Sequence, residues 1–214
     1  MEMTLALAVV AGGTGALLPA RLGARLSPAT MAAGAIVGAL LVVLLSPTTP
    51  GASIAALALG AGMAVAVATD LGEGYLYFAP LRAAIVLGMI GRLVGGVVDD
   101  ETGAWLSLAV AVGALGLYGA GRLFGRLRTL PTDPDSGEPM EAYGLFDTLL
   151  WLIVAATLPG VVAFAAFALS SLANGAASGL LLVLRAAGRT TPVGLPQAPF
   201  IAGAIVAVLL WISL

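Results

Sequence analysis

Residues 52–70 read ASIAALALGAGMAVAVATD, an uncharged apolar run that ends in a carboxylate. About 20 such residues cross the hydrocarbon layer as a helix, and a helix satisfies its own backbone polar groups where lipid offers none. The run lacks the apolar/polar alternation of a membrane barrel strand. Working outward, seven more runs have the same character: roughly 4–20, 29–46, 81–98, 104–121, 144–158, 160–184 and 197–213. Proline, glycine and acidic residues punctuate them, at Ser27-Pro28, in PTTPG at 47–51, at Asp99, Asp100 and Glu101, at Pro159-Gly160 and between Pro192 and Pro199. The expected fold is all-α, a polytopic membrane bundle of about eight transmembrane helices. Residues 1–214 form one membrane domain, with a polar, Pro- and Asp-rich loop at 128–143. The first run has an acidic flank, Glu2, and no small-residue cleavage site, so it reads as a retained span rather than a signal peptide.

Composition narrows the chemistry. Charged residues make up 9% of the chain and hydrophobic residues 60%, with a mean hydropathy of +1.09. A soluble domain carries about 25% charged residues, so this chain cannot cover a water-facing surface. A formal net charge of −2 and the absence of lysine leave little to neutralise phosphates, which argues against a nucleic-acid partner. With no cysteine and no histidine, disulfides, thiolate chemistry, Cys/His zinc sites and His-based triads are excluded. No cofactor or metal is expected. Catalysis, if present, falls to carboxylates, arginines, hydroxyls and backbone.

Eight spans put Arg21, Arg25, Arg82, Arg122, Arg126, Arg128, Arg185 and Arg189 on one side and the acidic and proline turns on the other. Arginine-bearing loops stay cytoplasmic, so both termini are expected outside. Arg92 is the exception. It lies within the fourth run and is expected to reach toward Asp99 and the outer headgroups. Glycine pairs four apart, Gly34/Gly38, Gly91/Gly95 and Gly175/Gly179, read as close helix packing.

Ionisable residues in apolar segments mark function more often than not. Asp70 closes the third run and Asp147 opens the sixth. The third runs outside to inside and the sixth returns, so both carboxylates sit at similar depth near the cytoplasmic boundary. If they approach, they share one proton. The ionised partner then acts as general base on a water while the protonated one polarises a peptide carbonyl. The alternative is that each caps a helix near the interface, Asp147 at an N-terminus where the dipole favours negative charge. Glu73, in a glycine-flanked loop, reads as solvated.

The stretches DLGEGYLY (70–77) and GLFDTL (144–149) resemble the two aspartate motifs of the type IV prepilin peptidases, membrane aspartic peptidases of the GxGD class. AGGTGALLPARLGARLSP (11–28) is similar to the family's first helix, and PVGLPQAPF (192–200) to its closing P-F-G-P-type loop. The resemblance implies Asp70 and Asp147 as catalytic residues and the segment around Gly144 and Phe146 as substrate-binding. Phe146 stands at the second glycine of G-x-G-D, where it reshapes the cleft. Leu149 and Tyr77 also depart from the usual lysine-leucine and proline. The link between the first two runs is short and cysteine-free, as in a short form of the family, so N-methyltransferase activity is not carried over. The implied reaction is removal of a prepilin or pseudopilin leader at the cytoplasmic face of a prokaryotic inner membrane. Membrane lipids and that substrate helix are the expected partners; the sequence does not specify an oligomeric state. Two other readings fit the same residues: a catalytically impaired relative that binds pilin-like helices, and a proton- or cation-coupled transporter using both aspartates.

Overall fold

A computed structural model describes residues 1–74, 76–96, 100–127, 145–189 and 195–213, without the side chains of 124–127. Its eight α-helices are α1 (Glu2–Arg21), α2 (Pro28–Leu45), α3 (Pro50–Glu73), α4 (Phe78–Gly91), α5 (Glu101–Leu127), α6 (Leu145–Thr157), α7 (Gly160–Ala186) and α8 (Gln197–Ser213). The chain is an all-helical membrane bundle, and no strand occurs among the described residues. Six helices are long and apolar enough to cross a membrane. The other two, α6 and α8, have 13 and 17 residues. At 1.5 Å per residue they span only about 20 and 26 Å, short of the ~30 Å hydrocarbon layer.

Local signals set the helix starts. Ser27 caps α2 by accepting from the Thr30 N–H, with Pro28 at the first helical position. Thr49 does the same for α3, accepting from Ala52 with Pro50 following. Proline loses nothing there, because the first N–H groups have no partner within the helix. Gly74 ends α3 at φ +64°, a left-handed position suited to glycine.

The centre of the bundle is α3, whose side chains from Gly62 to Thr69 are all buried. It packs against α1, α2, α4, α6 and α8. On the α1–α2 side the contact is backbone to backbone. A β-carbon on Gly34 would collide with Ala64 O and Ala68, and one on Gly38 would lie 2.8 Å from Gly60 O. This is the close packing expected of the Gly34/Gly38 pair. Gly175 and Gly179 behave otherwise, since nothing lies within 4 Å of a β-carbon at either. They pack against no other part of the described chain.

The bundle has two distinct ends. At one, the 22–27 link meets the end of α3, where the Arg25 backbone N–H donates to Glu73 at 2.7 Å. At the other, the backbones of Gly103 and Gly160 touch, joining the start of α5 to the α6–α7 turn. Arg21, Arg25, Arg82, Arg122, Arg185 and Arg189 gather at the first end.

The fourth expected span, 81–98, is not one continuous helix. After Gly91 the chain passes through a wide turn, Arg92–Gly96, with Val94 and Gly95 outside helical geometry and Gly95 at φ +81°. Arg92 turns inward there, donating to the carbonyl of Ala155 in α6 and to Ser107 Oγ in α5. The guanidinium thereby binds a carbonyl in the last turn of α6, where helix dipole and unpaired carbonyls favour a cation. Asp99, its expected partner, lies outside the described residues.

The two kinds of glycine predict opposite outcomes. Gly34→Leu should lower stability in detergent by about 3 kcal/mol, as overpacking does. Gly175→Leu should change it by less than about 0.5 kcal/mol. Thermal unfolding of both purified variants checks this.

Candidate active site

The site begins with an unusual helix start. The residue before α8 is Pro196, which has no side-chain acceptor to cap the helix. Pro199, at the third position, removes one N–H, but Gln197 and Ala198 still present theirs. Asp70, from 128 residues earlier, supplies the acceptor: the Ala198 N–H donates to Asp70 Oδ2 at 2.8 Å. Asp70 is therefore the N-terminal cap of a helix that is not its own. It sits one turn before the end of α3 and is half-buried.

Asp147 is the third residue of α6 and also half-buried. Its placement relative to Asp70 follows from where α3 and α6 touch. A β-carbon on Gly62 would lie 2.9 Å from Ala84 Cβ of α4 and 3.4 Å from Ile153 Cδ1 of α6. From that contact, Asp70 is eight residues along α3 and Asp147 six residues back along α6, about 12 and 9 Å toward the same end. Taken in the sense a right-handed helix turns toward that end, the offsets are rotations of about 80° around α3 and about 240° around α6. A right-handed helix turns the same way toward a given end whichever direction the chain runs. On facing helices these rotations put both residues on the same side of the α3–α6 seam, Asp70 against the start of α8 and Asp147 about 120° round α6 from the contact, turned outward from α3.

Phe146 lies about 100° round α6 from Asp147. Its ring meets Phe78, the first residue of α4, edge to face at 6.2 Å between centroids. Arg82 stands over the other side of that assembly, 5.2 Å from the Phe78 centroid. Phe146 also packs against the main core. Phe146 thus fills the α4–α6 junction. Gly144, its expected partner in substrate binding, and the 128–143 segment lie outside the described residues.

Glu73 is not simply solvated, as the sequence suggested. It is the last residue of α3, exposed, and holds both the Arg25 backbone N–H and the Tyr77 hydroxyl, the latter at 3.2 Å. It pins the α1–α2 and α3–α4 links beside the site. The Tyr77 contact is local, four residues along the chain, whereas the Arg25 contact depends on where α2 docks and has no local signal.

Two residues at the site went unnoticed in the sequence. Asn174, in the middle of α7, donates from Nδ2 to Gln197 Oε1 at 2.8 Å, tying α7 to the first residue of α8. A lone asparagine inside an apolar run was the available signal. The bond also fixes depth. From Asn174, α7 continues for about 18 Å toward the arginine-bearing end, so α8 and its aspartate cap begin well inside the length of the longest helices.

Comparison with family models, characterised proteins and solved structures finds no match. The chemistry is argued from the arrangement alone. Two half-buried carboxylates at similar depth on one side of the α3–α6 seam, one of them against a helix N-terminus, suit acid–base work on a polar group in a partly dry setting. Among the described residues no cluster of three metal-ligating side chains occurs.

The capping role predicts a difference between two substitutions of Asp70. Asp70→Asn keeps an oxygen for the Ala198 N–H and should unfold close to the parent protein. Asp70→Leu strands that donor and should cost about 1–3 kcal/mol. Thermal melts in detergent distinguish them.

Proposed function

We propose that the chain is an intramembrane aspartic endopeptidase of the type IV prepilin peptidase kind, with Asp70 and Asp147 as its catalytic pair. The observation that carries this reading is the similar depth of the two carboxylates on one side of the α3–α6 seam, toward the arginine-bearing end, with Asp70 against the start of α8. The arginines support a cytoplasmic location for that end, with both termini outside a prokaryotic inner membrane. The substrate is the leader of a prepilin or pseudopilin, cut ahead of its apolar helix.

In this mechanism one aspartate is ionised and the other carries a proton. The ionised carboxylate takes a proton from a water held between them, and the water oxygen attacks the scissile carbonyl carbon. The protonated carboxyl donates to the carbonyl oxygen as it gains charge. The C–N bond then breaks as the departing nitrogen receives a proton from the first aspartate, regenerating the pair with one shared proton. Histidine, cysteine and metal have no part in it.

The expected outcome is that Asp70→Asn and Asp147→Asn each abolish cleavage of a co-expressed prepilin while the protein remains folded in the membrane. Immunoblotting for the processed pilin reads the result, and processing by both single variants would remove the aspartyl mechanism.

A second reading, an impaired relative that holds pilin-like helices, draws support from the commitment of Asp70 Oδ2 to the start of α8 and from Phe146 at the glycine position. Under that reading Phe146→Gly restores turnover. On the peptidase reading the ring is packing against Phe78, so the substitution lowers stability by about 2 kcal/mol and does not raise turnover. Parallel melting and processing assays separate the two.

A further inference from the structure

Two buried hydroxyls in this bundle bond back to their own helices. Thr69 Oγ1 donates to Val65 O at 2.9 Å and Thr157 Oγ1 to Ile153 O at 2.7 Å. Asn174 cannot be satisfied in this way. Its Nδ2 is taken by Gln197, but its Oδ1 is buried and is the one such side-chain atom without a partner among the described residues. A buried acceptor left unpaired costs about 1–3 kcal/mol, and lipid tails offer no donor to relieve it. On the neighbouring side chain the Gln197 amide accepts through Oε1, which leaves Nε2 as a donor. The pair therefore carries one unsatisfied acceptor, closed to solvent until the α7–α8 contact opens, and one donor, one residue away from the Ala198 N–H that holds Asp70.

That pattern matches a peptide backbone in extended form. A phosphate or carboxylate offers only acceptors and leaves Asn174 Oδ1 unpaired. A helical segment has already used its N–H and C=O groups internally. An unwound segment has both free, and a peptide bond must be unwound before water can attack it.

We infer that the Asn174–Gln197 amide pair docks the unwound backbone of the substrate beside Asp70, Asn174 Oδ1 accepting a peptide N–H and Gln197 Nε2 donating to a carbonyl of the same segment. This inference rests on the peptidase reading and adds to it a residue pair that selects backbone rather than side chain.

The test is binding of a synthetic prepilin peptide spanning the leader–helix junction to the full-length Asp147→Asn protein in nanodiscs, with each backbone amide N-methylated in turn. One methylated position should weaken binding about tenfold, the scale of one buried hydrogen bond. Asn174→Leu should weaken the unmethylated peptide by a similar factor and become indifferent to that methyl group. Asn174→Ala repeats the comparison should the leucine variant fail to fold, and the methyl scan on the protein with Asn174 intact stands without either. Binding in which no methyl effect appears, or none depends on residue 174, overturns the docking role and leaves the peptidase reading in place. No binding of the parent peptide overturns both.

Discussion

A helix that starts inside an apolar layer must find partners for its first N–H groups within the protein. This constraint governs the interior of the bundle. Helix α8 follows a proline, carries another at its third position, and begins level with the middle of α7. Asp70 meets the requirement by accepting from Ala198. That bond fixes the end of α3 against the start of α8, and α3 also packs against α1, α2, α4 and α6. The carboxylate is held in place by the same contact that makes the fold feasible.

Around this contact the other features fall into order. Small residues on α2 and α3 let the first three helices close up tightly, which positions the 22–27 link for Glu73 to hold. On the opposite face α6 approaches through Ile153 at Gly62, bringing Asp147 to the depth of Asp70. Phe146 and Phe78 secure the start of α6 against α4. At the far end Arg92 closes the last turn of α6. The short helix is thus fixed at both ends, and a carboxylate in its first turn inherits a defined position.

Much of this architecture is legible in the sequence because apolar run length is a strong signal in lipid. The run at 197–213 coincides with α8, and Pro28 and Pro50 mark the starts of α2 and α3. The acidic residues at 70 and 147 stand out against so little charge. What the sequence leaves open depends on packing at a distance. Gly95 in the fourth run reads as a packing glycine but bends the chain out of the helix. The Gly175/Gly179 pair has the spacing of Gly34/Gly38, yet among the described residues nothing lies within 4 Å of a β-carbon at either position. Glu73 gains its hold on the 22–27 link through Arg25, 48 residues away, and Asn174 and Gln197 gain their roles through each other from two different helices. Phe146 packs between α4 and α6 through Phe78, a contact that only the folded arrangement shows.

The convergence of Asp70 and Asp147 is tested most directly by proximity. The chain has no cysteine, so paired Asp70→Cys and Asp147→Cys substitutions introduce the only thiols. The account predicts that a bifunctional thiol reagent spanning about 8 Å, the distance between packed helix axes, links the two within one chain in the membrane. A pair at 70 and Leu172, which is exposed on α7, serves as the unlinked control. Failure of the 70–147 pair to link, under conditions where thiols at 70 and 198 do so, would contradict it.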